Sequence, residues 1–186
     1  MPTAMVIFTS KKPEDVAKLG GTGWWKVDPV KARGATHVVL THNAFDKRRP
    51  GDPEHHGESF MVATIKDVLQ DEDGRWLIQF DQYAMTSAGL KWPGYRNPVN
   101  YTDTEIVLDQ LEIGDWQKLQ EVSFKDAQAI RRRDDASATR MQARQAATSG
   151  TGEQTFGEII ELYRERIAVD LGVEPTAVKI TIETSK

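Results

Sequence analysis

Four groups of side chains in this chain have the chemistry to act on or hold another molecule. His42, His55, His56 and Glu58 could move protons, because histidine is the side chain whose ordinary titration lies near neutral pH. Trp24 and Trp25 follow three glycines in the run Gly20 to Gly23, placing two large rings after a flexible stretch. Trp92 and Tyr95 sit in a second aromatic segment from Leu90 to Tyr101, with Arg96 and Asn97 beside them. Asn43 and Ser59 flank the histidine-bearing loop and offer hydrogen bonds to a polar ligand edge.

Each chemistry has a spacing requirement, and most are not met. A phosphate-cradling loop needs Gly-Lys-Ser/Thr and a helix directly after it; two tryptophans follow the glycines instead. Three histidines invite zinc, yet the chain has no HExxH arrangement and no cysteine, so no metal site and no cofactor is expected. Nothing fixes a nucleophile or an orienting partner for the histidines, so no catalytic residue is assigned. Rings and amides without a catalytic dyad favour a flat, polar-edged ligand stacked between aromatic walls. Because adjacent side chains on extended backbone point to opposite sides, one of Trp24 and Trp25 is expected in the core and the other in the cleft.

The elements that must position these groups follow from periodicity and punctuation. Met5 to Phe8 reads as a buried strand. Pro13 to Leu19 reads as a short helix with acidic residues in its first turn and Gly20 to stop it. Gly20 to Gly23 is expected as a loop. Asp28 caps a helix that begins at Pro29 and ends at Gly34, and Thr36 to Thr41 is a β-branched strand. Residues 44–57 form a long Pro-, Gly- and charge-rich loop, a length that is usually functional or disordered. Ser59 to Val68 and Arg75 to Gln82 form a hairpin, and Trp76, Ile78 and Phe80 share one face of its second strand. The first strand is apolar on both faces, which places it centrally in a covered, barrel-like sheet. Leu90 to Tyr101 cannot be a regular helix, Asp103 to Leu111 is a capped short helix, and Val122 to Thr148 a polar, solvated helix.

After a linker at Thr148 to Gly152, Thr155 and Glu158 make a capping box. An apolar helix stripe follows through Phe156, Ile160, Tyr163 and Ile167, and then an alternating strand through Val178, Ile180 and Ile182. One helix and one strand do not make a stable domain alone, so self- or partner association through 153–186 is one use for them.

Composition narrows the rest. The net charge of −4 argues against a broad, non-specific nucleic-acid binder. Residues 1–60 nevertheless carry nine Lys/Arg against seven Asp/Glu, which leaves room for a local basic face at Lys26, Lys31, Arg33 and 47–49. Arg131 to Arg133 could also reach a phosphate, although Asp134 and Asp135 adjoin them. No apolar run approaches the roughly 18 residues of a membrane span, and the absence of cysteine suits a cytoplasmic home.

The runs Gly23 to Trp25, Thr36 to Asn43, Gly57 to Phe60 and Tyr95 to Pro98 resemble the PUA-like superfamily, closest to small bacterial EVE- and ASCH-type domains. The similarity covers about residues 1–120. It implies an α+β fold: a mixed-sheet pseudo-barrel flanked by short helices, with 121–152 as a polar helix and linker and 153–186 as a helix–strand appendage outside the family. It also implies a nucleobase, often a modified one, read from DNA or RNA in an aromatic cage. Trp24 or Trp25, Trp92 and Tyr95 would form the cage, and Asn43, Ser59 and Asn97 would supply hydrogen bonds. The leading expectation is therefore a modified-base-binding module. The alternatives are an enzyme using the His and Glu groups, and a partner-association protein acting through its C-terminal unit.

Overall fold

The computed structural model describes residues 2–46, 51–87, 89–149, 164 and 175–180. The chain divides into two compact units, 1–134 and 135–186. The first carries a seven-stranded mixed sheet. In chain order its elements are β1 (Thr3–Thr9), α1 (Pro13–Leu19), β2 (Gly21–Trp25), α2 (Pro29–Gly34), β3 (Ala35–His42), β4 (Ser59–Gln70), β5 (Trp76–Met85), β6 (Val99–Asp103), α3 (Thr104–Leu108) and β7 (Gln117–Lys118). The helix α4 (Phe124–Ser149) follows. The strand order is β2-β5-β4-β3-β1-β6, with β7 also paired to β5. Only the β1–β3 pair is parallel among these ladders. The fold is α+β, a curled mixed sheet flanked by short helices.

The register explains why β4 is apolar throughout its first half. Met5 pairs with Val38 and Ile7 with Leu40, while Leu40 pairs with Met61 and Val38 with Ala63; these side chains share one core with Ile78 and Phe80. The alternate residues Ala4, Val6, Val39, Val62 and Ala84 face the other way. Val107 of α3 and the segment with Leu90, Trp92, Leu111 and Ile113 cover them. Leu19, Leu77 and Ala127 form a third group, joined by Trp24, Val122, Phe124 and Ile130. Ser123 starts α4, its hydroxyl accepting the Asp126 N–H at 3.2 Å.

One expectation needs correction. The Gly20–Gly23 stretch is not a loop: Gly20 ends α1 in the left-handed conformation, and the chain enters β2 at once. Gly21 has φ of +153°, and a Cβ there would stand 2.1 Å from the Ile78 carbonyl oxygen. The glycine thus serves the close approach of two strands. The 90–101 segment holds no helix, as expected, and its end is a strand. Val99 to Asp103 pairs antiparallel with β1, from Val99 opposite Ile7 to Asp103 opposite Thr3, directly after Pro98. Asp103 itself caps α3, accepting the Glu105 N–H at 2.9 Å.

Residues 47–49 of the expected basic face, the Thr155–Glu158 capping box and most of the C-terminal helix and strand lie outside the described residues. In the second unit Pro175–Ala177 forms a 3-10 turn, and Val178 and Ile180 are half-buried with Lys179 exposed between them. No helix among the described residues is long and apolar enough to cross a membrane.

Candidate binding cleft

The strand order leaves β2 and β6 as its two ends, and among the described residues no ladder joins them. The seam between them is bridged instead: the Tyr101 hydroxyl on β6 donates to the Asp28 carbonyl at 3.4 Å. Trp25, Val27 and Tyr101 pack on the core from this side. The seam opens outward into a cleft of about 420 Å³. Lys26, Val27, Asp28 and Lys31 line one wall, while Tyr95, Asn97, Val99, Asn100 and Tyr101 line the other.

Local sequence fixes each wall. The Asp28 carboxylate accepts the N–H groups of Val30 at 2.9 Å and Lys31 at 3.1 Å, and Pro29 occupies the first turn of α2. One carboxylate oxygen takes both bonds, and Lys31 of the same turn lines the cleft. The Lys31 ammonium lies 5.8 Å from the centroid of the Tyr101 ring. Burial, followed by the nearby Asp28 charge, raises the Tyr101 phenol above its ordinary range, so it stays a neutral hydroxyl at physiological pH. On the facing wall the Asn97 carbonyl accepts the Val99 N–H at 3.3 Å, which leaves its two amide protons for a ligand. Tyr95 is 52% exposed. Its ring packs edge-on against Trp92 at 5.7 Å, and Trp92 in turn stacks on Phe8 at 5.3 Å with the ring planes 9° apart.

The expected cage residues are therefore divided among different places. Tyr95 and Asn97 line the cleft. Trp92 packs beneath the sheet with Phe8 and carries Tyr95 on its edge. Trp24 belongs to the third apolar group, 6.1 Å from the Phe124 ring and 5.1 Å below the Arg131 guanidinium. Trp25 packs on the core, its indole N–H donating to the Thr22 hydroxyl at 3.2 Å and its ring 5.9 Å from the Lys11 ammonium. Among the described residues no ring contact joins Trp24 or Trp25 to Trp92 or Tyr95. The stretch 20–43 does meet the 92–101 segment, but through Lys26, Val27, Asp28 and Lys31. Asn43 donates its N–H to Thr9, Ser59 is buried with its hydroxyl unpartnered, and Arg96 is exposed outside the lining. Val27, Asp28, Val99, Asn100 and Tyr101 also line the cleft, and sequence reasoning gave none of them a site role; for Asn100 and Tyr101 the one signal was the apolar Val99 beside them, which marks the strand.

The histidines stand elsewhere. His42 stacks on Phe60 at 4.2 Å, and burial first, then the His55 charge, lowers its pKa. His55 holds Glu58 at 3.1 Å, which raises the imidazole and lowers the carboxyl, and Lys91 approaches the same carboxylate at 3.5 Å. His56 packs between Phe8 and Phe45. None of them lines the cleft. Among the described residues, no three His, Cys, Asp or Glu side chains are grouped to hold a metal ion. Two other basic candidates are used internally: Arg33 lies 5.1 Å over Trp76, and Arg131 pairs with Asp71 and Asp73.

No protein-family model and no curated protein matches the chain. Among solved structures, the N-terminal domain of Mycobacterium avium complex Lon protease is similar at 13% identity, covering 78% of this chain and 71% of that one. The TM-score of that match is 0.28.

Proposed function

We propose that the chain is a nucleic-acid-binding module of PUA-like type that takes an unpaired nucleobase, modified bases included, in the cleft between β2–α2 and the 95–101 segment. One observation carries the reading: an exposed tyrosine, a second tyrosine, two asparagines and two lysines line a single cleft. Tyr95 offers a stacking face, Asn97 and Asn100 offer edge hydrogen bonds, and Lys26 and Lys31 offer charge to an adjacent phosphate. Stacking of a base on an aromatic ring is worth about 1–3 kcal/mol. Edge hydrogen bonds add discrimination, because a wrong base leaves buried polar groups unpaired. A base already extruded or single-stranded enters without the cost of unpairing. The acidic balance of the whole chain suits recognition of one site more than broad adhesion to a duplex. Such a ligand fits a cytoplasmic protein.

The test is fluorescence anisotropy with labelled single-stranded DNA and RNA bearing ordinary and modified bases. Tyr95→Ala should weaken binding roughly 5- to 150-fold, the equivalent of one stacked base. Lys31→Ala should weaken it across sequences and lower the salt slope by about one unit. Absence of binding across the panel, or binding indifferent to both substitutions, refutes the proposal.

A further inference from the structure

A second concavity of about 400 Å³ adjoins the first, and the two share Lys31 and Tyr101 as lining. Its other walls include Thr3, Gly34, Thr102 and Asp103. We infer that the two clefts form one track for two adjacent nucleotides of a single strand, with the phosphodiester that joins them held at Lys31. This rests on the nucleobase reading of the first cleft.

Two features support the assignment. The Lys31 ammonium sits over the Tyr101 ring, and that pair is the partition common to both clefts. A phosphate there has a concavity on either side for its two nucleosides, each within the size range of small-ligand pockets. Charge fixes the order of parts. The second cleft contributes Asp103 and no cation besides the shared Lys31, so its interior disfavours a phosphate and suits a sugar and base. One Asp103 oxygen is committed to the Glu105 N–H, which leaves the other, with the Thr3 and Thr102 hydroxyls, to accept from or donate to a nucleoside.

Gly34 supplies a clean obstruction. It ends α2 in the second cleft only, and a Cβ added there meets nothing within 4 Å. Gly34→Phe therefore adds a ring at the wall of that cleft with no clash at its Cβ. The experiment is calorimetric or NMR titration with a nucleoside 3′-methyl phosphate, a dinucleoside monophosphate and a trinucleoside diphosphate, in ribose and deoxyribose forms. The first two carry the same single charge. Affinity should rise about tenfold from the first to the second, the gain of one more seated base, and little from the second to the third. Gly34→Phe should remove that rise and leave the mononucleotide affinity as it was. Equal affinity for the first two, or a rise that survives Gly34→Phe, overturns the two-nucleotide track while the nucleobase reading stands. Failure of all three ligands to bind overturns both.

Discussion

Arg131 is placed to test whether Trp24 is a structural residue or a ligand-facing one. Its guanidinium pairs with Asp71, reaches Asp73 at 3.0 Å and covers the Trp24 ring at 5.1 Å. The Asp71 side chain is only 5% exposed, and it also accepts the backbone N–H groups of Asp73 at 3.0 Å and Arg75 at 2.8 Å. Arg131→Ala therefore leaves a buried carboxylate with two backbone donors and, among the described residues, no ion-pair partner. Breaking a fully buried pair costs about 3–5 kcal/mol. Arg131 is 20% exposed and Asp73 is open to solvent, so solvent screening brings the ionic loss to the lower part of that range or below it. With the ring contact included, the total loss is about 2–4 kcal/mol. For a chain of this length that corresponds to a fall in Tm of about 5–15 °C. Urea denaturation and calorimetry measure it, and a cycle with Trp24→Ala isolates the ring contact, expected at about 0.5–2 kcal/mol. Oligonucleotide affinity, taken where both proteins are folded, should not change. A loss below about 0.5 kcal/mol, or a fall in affinity as large as that of Tyr95→Ala, would refute this placement of Trp24.

Glycine substitutions should separate close approach from mere flexibility. Gly21→Ala forces a Cβ to 2.1 Å from the Ile78 carbonyl and should cost about 2–4 kcal/mol or prevent folding, whereas Gly34→Ala, with open space at its Cβ, should stabilise by up to about 1 kcal/mol. Matched urea midpoints for these two variants would contradict the account. The pH dependence follows from the histidines. His42 and His37 have folded pKa values below the ordinary 6.5, chiefly through burial, so the unfolded chain takes up protons first and stability falls as pH drops through that value. His55, raised by its bond to Glu58, works the other way: its contribution is present below 6.5 and is lost as pH rises through the elevated value. His42→Asn should flatten the acid limb of stability against pH, and a limb of unchanged slope would count against burial as the cause. Asp28→Ala removes the acceptor of two N–H groups at the start of α2 and should cost about 1 kcal/mol, read by thermal melting.

The fold was legible wherever local chemistry decides it. The Asp28–Pro29 start and Gly34 end of α2, the bounds of α1 and the 59–85 hairpin follow from caps, turns and alternation that act within a few residues. Long-range packing was not legible. Trp24 reads equally well as a cage wall until Phe124 and Arg131 are brought to it from a hundred residues away. Gly21 reads as part of a loop because its reason for being glycine is a carbonyl on β5. Residues of the 20–43 and 90–101 stretches line one cleft, but those that meet there include lysines, asparagines and tyrosines at the sheet's seam and no tryptophan. Aromatic size drew attention to the tryptophans, and that same size is what the core uses.

The central claim is that the ligand lies in the seam between β2–α2 and the 95–101 segment. The most direct measurement is a two-dimensional amide NMR titration of the full chain with a dinucleoside monophosphate. The account predicts saturable shifts concentrated at residues 26–31, 34 and 95–103, with the Trp24 indole resonance and residues 42–58 undisturbed. Shifts centred instead on His42, His55, His56 and Phe45, or on Trp24 and Arg131, would contradict it.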